Sequence, residues 1–131
     1  MTERMTQAGA ARRTGKGQRA PRTWRASLMQ LRESYGLSRQ TLKRALHASA
    51  SALAKWEKGT SPPTPGSVAK IKQLEKIIEG LSRVMKKDFI RTWLTNQNDA
   101  CEGKSPLDLL AKGDYESVED LVYFLEAGEP V

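Results

Sequence analysis

Cysteine occurs once in this sequence, at Cys101, and histidine once, at His47. A lone cysteine excludes an internal disulfide and fits a reducing compartment, so a cytoplasmic location is expected. The sequence has no metal-ligand spacing, no phosphate-cradling glycine loop and no pair of carboxylates on one recognisable helix face. Catalysis is therefore not expected, and no cofactor or metal is implied. Long apolar runs are missing too. The longest covers five residues, 121–125, too few to cross a bilayer, so no membrane partner is expected. The start of the chain is polar and charged, without the apolar core of a secretory signal. Hydrophobic residues make up 38% of 131 positions and aromatics 6%. That suffices for a modest core, not for a deep cleft with several shells around it.

What the chain has is charge, unevenly placed. Residues 1–25 hold seven Lys/Arg against one acid, and residues 26–85 hold ten against four. Residues 86–131 reverse the sign, with five against ten. A basic front and an acidic back point to two partners, one of them a polyanion.

Residues 1–22 mix Gly, Ala, Thr and Arg without apolar periodicity and read as a disordered basic tail. Its Arg12, Arg13, Lys16, Arg19 and Arg22 suit a DNA groove or backbone as well as plain solubilisation. From there every periodic segment reads as helix, giving an all-α chain. Trp24, Leu28, Leu31 and Tyr35 form one helical face that Gly36 ends. Ser38 caps a second helix over 39–46, and Ser49 a third over 50–58 that Gly59 stops. After "TSPPTPG", Thr64 and Pro65 start a long connecting helix, residues 65–85, with Val68, Ile71, Leu74, Ile78 and Leu81 along one side. Asp88 opens a short helix over 89–94, Ser105-Pro106 starts a two-turn helix, and "SVED" resembles a capping box that would begin the last helix at Ser117.

The stretch "HASASALAKWEKG", residues 47–59, is unusual: a short helix is kept slim by Ala and Ser, then anchored by Trp56. Two short helices around a tight turn, with a third before them, form a helix-turn-helix arrangement whose second member enters the major groove. A thin leading face of Ala50, Ser51 and Ala54 lets that backbone approach base edges in a groove about 12 Å wide. "LRESYGLSRQTLKRALHASASALAKWEKGTSPPTP" resembles the Xre/Cro/repressor class of DNA-binding domains. The motif positions are Gly36, Leu37, Ser38, Leu42, Leu46, Ser49, Leu53, Trp56, Glu57, Gly59 and Pro62. His47 departs from it, standing where the class usually has Gly, and reads as a surface turn residue. The resemblance implies a domain over 23–64 and a structural ion pair between Arg32 and Glu57. It implies duplex contacts from Arg39 and Gln40 at the start of the second helix, and from Ser49, Ala50, Ser51 and Lys55, with Lys55 reading guanine. Lys43, Arg44 and Lys58 are further candidates for phosphate contacts. So few polar readers suggest a homodimer on a two-part operator.

Within residues 86–131, "DFIRTWLTNQNDACEGKSPLDLLAKGDYESVEDLVYFLEAG" is similar to the C-terminal toxin-binding domain of the Xre/MbcA/ParS antitoxin family. The similarity is carried by Trp93, Leu94, Asn98, Gly103, Pro106, Leu107, Asp108, Leu109, Leu110, Gly113, Val118, Leu121, Leu125 and Gly128. Most of these are core or turn positions, so contacts to a partner are assigned to exposed neighbours: Glu116, Glu119, Tyr123, Glu126, Glu129, Pro130 and Val131. The family's partner is typically a RES-domain toxin that consumes NAD. The resemblance thus implies an antitoxin that binds a cognate toxin through residues 86–131 and represses its own operon. The alternative is a stand-alone regulator whose C-terminal part only dimerises.

Overall fold

The computed structural model describes residues 23–128. The basic tail over 1–22 and the contact candidates Glu129, Pro130 and Val131 lie outside the described residues. Among the described residues there is helix and turn but no strand, and no helix is long and apolar enough to cross a membrane. The fold is all-α.

The elements are α1 (Trp24–Met29), continued by a π-helical turn (Gln30–Ser34), α2 (Arg39–Leu46), α3 (Ala50–Lys58), α4 (Pro65–Ser82), α5 (Lys87–Thr95), α6 (Pro106–Ala111) and α7 (Tyr115–Glu126), with a 3-10 turn (Asp99–Cys101) before α6. Local chemistry starts most of them. The side chains of Thr23, Ser38, Ser49 and Thr64 each accept a hydrogen bond from a backbone N–H in the first turn of α1, α2, α3 and α4. Each removes one of the orphan donors at a helix start.

Four features correct the sequence expectation. Helix α4 ends at Ser82 rather than at residue 85, and residues 83–85 turn toward α5. The last helix begins at Tyr115, because Asp114, not Ser117, is its cap and accepts from the Ser117 N–H at 3.2 Å. The capping box sits instead at α6, where the Ser105 hydroxyl accepts from the Asp108 N–H and the Asp108 carboxylate accepts from the Ser105 N–H, both at 3.0 Å. Helix α5 runs one residue further at its C-terminal end and two further at its start than 89–94, entering from Lys86.

One hydrophobic core joins the front and back of the chain. Leu28, Leu31, Leu42, Leu46, Leu53, Ile71, Leu74, Ile78, Ile90, Leu110 and Val118 are all buried in a single cluster. Helix α4 runs through its middle, with Ile71, Leu74, Ile77, Ile78 and Leu81 at most 2% exposed. Its most extensive packing is on α7, while that of α2 is on α6. Gly80 explains how α4 and α7 come so close. A Cβ there would lie 2.6 Å from Val122 Cγ1, inside contact distance, so only glycine lets the two helices cross at this point.

Candidate nucleic-acid and partner-protein interfaces

Helix α3 has two unlike sides. Leu53 and Trp56 are buried, at 0% and 7% exposure, and tie it to the core. Ala50, Ser51, Lys55 and Lys58 are exposed, with Ala54 half-buried beside them. Two methyls, a hydroxyl and two ammonium groups thus lie on the open side of the helix. That suits close approach to base edges and phosphates. Ser49 uses its oxygen as acceptor for the Ala52 N–H at 3.0 Å, which leaves its O–H proton free to donate. Gly59 ends the helix at φ +78°, where a side chain would press on the Arg25 guanidinium. Arg25 in turn donates to the Glu57 carbonyl at 3.2 Å, a cation on the negative end of the helix dipole.

Glu57 is the meeting point of two arginines. Arg32 Nη1 lies 3.7 Å from Glu57 Oε2, an ion pair too long for a hydrogen bond. Arg39 makes the closer contact, donating to Glu57 Oε1 at 2.7 Å, with its own side chain 54% exposed. Arg39 and Arg32 therefore share one carboxylate, and the half-open guanidinium of Arg39 keeps donors free toward solvent. Gln40 is exposed beside it.

Arg44 also meets a carboxylate. It donates to Asp108 Oδ1 at 2.6 Å, joining α2 to the first turn of α6. This contact, together with the two Ser105 hydrogen bonds, lowers the Asp108 pKa from its ordinary 3.8 to about 2. Two more bonds tie this end of α2 to the back of the chain, one to α6 and one to α7. His47 Nε2 lies 3.2 Å from the Leu110 carbonyl, which can only accept, so Nε2 carries the proton. The Tyr115 hydroxyl donates to the Ala45 carbonyl, and burial pushes its pKa up. His47 itself sits at φ +54°, the left-handed conformation its place at the end of α2 requires. This clasp was not foreseen from the sequence. A histidine in place of the usual glycine was its one visible sign.

At the other end, Glu119, Tyr123 and Glu126 border a cleft of about 280 Å³ between α4 and α7. Tyr123 is 68% exposed and stands edge-on to Phe124, with ring centroids 5.7 Å apart. Glu116 is exposed one turn earlier. Glu126 is not a free acid: it accepts from Arg83 Nε at 2.6 Å, which raises the Arg83 pKa. The surface is an aromatic pair rimmed by carboxylates, and aromatics with a polar rim are what protein interfaces favour.

Residues 28–74, from the end of α1 to the middle of α4, match the helix-turn-helix family and carry an Xre-like helix-turn-helix. The chain is similar to the mycobacterial cidal antitoxin MbcA of Mycobacterium tuberculosis and of Mycobacterium bovis, 25% identical over 96 residues, or 73% of this chain and 85% of each relative. A chain in the crystal structure of the M. tuberculosis MbcT-MbcA toxin-antitoxin complex shares the fold, with TM-score 0.68 and 24% identity over 80% of this chain and 95% of that one.

Proposed function

We propose that this protein is a cytoplasmic antitoxin. It neutralises a cognate toxin by direct binding through residues 86–131 and represses its own operon by binding operator DNA through α2 and α3. The observation that carries the reading is the extent of the likeness to MbcA: 96 residues, far more than the 47 of the helix-turn-helix match. The exposed slim face of α3 supports the DNA half, and the aromatic pair on α7 with its acidic rim supports the protein half.

On this reading Ala50, Ser51 and Lys55 face base edges, and Arg39, Gln40, Ser49, Lys43 and Lys58 face phosphates. Arg44, which also pairs with Asp108 of α6, faces phosphate beside them. Glu116, Glu119, Tyr123 and Glu126, with Glu129, Pro130 and Val131 beyond them, face the toxin. The toxin is of the RES type, and a negatively charged end of the antitoxin suits a pocket built for an anionic dinucleotide. A homodimer doubles the few polar readers of one α3.

The test is co-purification of the tagged chain from its native host, with expression of the co-purifying protein alone and together with the chain. The expected result is a stable complex with a protein that arrests growth alone and is harmless in company. A chain that recovers only itself, and binds its promoter unaided, would make it a stand-alone regulator.

A further inference from the structure

We propose that α5 supplies a second set of sugar–phosphate contacts, from Lys87 and Arg91, continuing the strip begun by the start of α2. The proposal rests on the duplex-binding reading of the helix-turn-helix domain. It assigns to DNA a part of the chain that no motif places there.

Position is the first argument. Arg91 Nη1 donates to the Gly36 carbonyl at 3.3 Å, and Lys87 Nζ lies 6.0 Å from the centre of the Tyr35 ring. Both cations are thus held against the turn that leads into Ser38, Arg39 and Gln40, the exposed start of α2. Helix N-termini and their neighbours are where this class of fold meets the DNA backbone. Lys87 and Arg91 are four residues apart and both exposed, while Ile90 and Leu94 on the other side of α5 are buried and fix the helix in place.

Charge is the second argument. Residues 86–131 are acidic as a whole, yet three of their five cations, Lys86, Lys87 and Arg91, fall at α5. Asp88 is the one acid there, and the other nine lie from Asp99 onward. The sign therefore changes inside the back half, between α5 and the loop that follows it. Arg39, Arg44 and Arg83 each meet a carboxylate. Among the described residues, Lys87 and Arg91 meet none. Arg91 spends one N–H on Gly36 and keeps the rest of its fork for an anion.

The experiment measures affinity of the full chain for a mixed-sequence DNA duplex across a salt series. Lys87→Gln and Arg91→Gln are each expected to flatten the slope of log affinity against log salt by about one unit, and together by about two. Lys104→Gln removes one charge from the loop before α6 and is expected to leave the slope alone. The swapped pair Lys87→Arg with Arg91→Lys keeps both charges and the parental slope, which separates charge from folding. An unchanged slope in the Gln variants, equal flattening by Lys104→Gln, or flattening by the swapped pair overturns the proposal. Binding that needs Lys55 but ignores Lys87 and Arg91 sinks this inference alone. No duplex binding by the parent chain sinks the DNA reading with it.

Discussion

At the scale of single residues, two positions show sequence rules reversed by their surroundings. Gly80 lies in the interior of α4, where Ala is intrinsically better by about 1 kcal/mol. Its absent Cβ would meet Val122 Cγ1 at 2.6 Å, and overpacking of that kind costs about 1–3 kcal/mol. Gly80→Ala is therefore expected to lower the urea midpoint. Gly66→Ala near the start of the same helix, with only Thr64 Oγ1 nearby at 3.9 Å, is expected to hold or raise it. A stabilising Gly80→Ala would mean that α7 does not pack where the structure has it. His47 is the second case. Substitution by Ala removes the bond to Leu110 and keeps the left-handed strain, while substitution by Gly removes both. His47→Ala should thus be less stable than His47→Gly by about 1 kcal/mol in equilibrium unfolding. Neither residue's role was readable in sequence, because the atoms each meets lie 42 and 63 positions away in the chain, at Val122 and Leu110.

At the scale of elements, the starts of α2, α3 and α4 were legible because each cap is a contact between neighbours three residues apart. The start of α7 is ambiguous in the sequence for a related reason. Both Asp114 and Ser117 are good caps, and the aspartate captures the Ser117 N–H, which pulls Tyr115 into the helix and onto Ala45. The slim face of α3 was legible as a pattern, and it carries a prediction. Ser51 is exposed, so Ser51→Leu should leave stability within about 0.5 kcal/mol. It should still weaken duplex binding tenfold or more in a mobility-shift titration, by thickening the side that enters the groove. Retained affinity would deny α3 that position. Helix α6 gives a pH prediction. The Asp108 pKa is depressed to about 2, so its contribution is complete above its ordinary 3.8 and disappears as pH falls through about 2. Unfolding midpoints of the parent and of Asp108→Asn should therefore converge over that window. A gap independent of pH would remove the Arg44–Asp108 contact from the account.

At the scale of the whole molecule, charge asymmetry and motif order were readable, but the way the parts share a core was not. The sequence suggests one domain or two very small ones, with a helix-turn-helix part over 23–64, a connecting helix over 65–85 and a toxin-binding part over 86–131. Helix α4 lies inside the core, with Ile71 and Ile78 at 0% exposure, and α2 packs on α6, where Arg44 and His47 bond to Asp108 and Leu110, and reaches α7 through the Tyr115 hydroxyl on the Ala45 carbonyl. Apolar periodicity says which face of a helix is buried and not which partner buries it. A fragment of residues 1–85 therefore loses the cover over Ala45 and Leu46 and over the side of α4 that meets α7. The exposed apolar patch this leaves is of the kind that drives aggregation. Such a fragment is expected to unfold without a cooperative transition and to lose duplex binding, although every motif residue of α2 and α3 is present. The full chain should unfold in a single transition when followed by both circular dichroism and tryptophan fluorescence, since Trp24 and Trp56 report the front and Trp93 the back. If the 1–85 fragment binds DNA as tightly as the whole chain, the shared core is dispensable to the DNA-binding half, and the clasp only tethers two independent folding units.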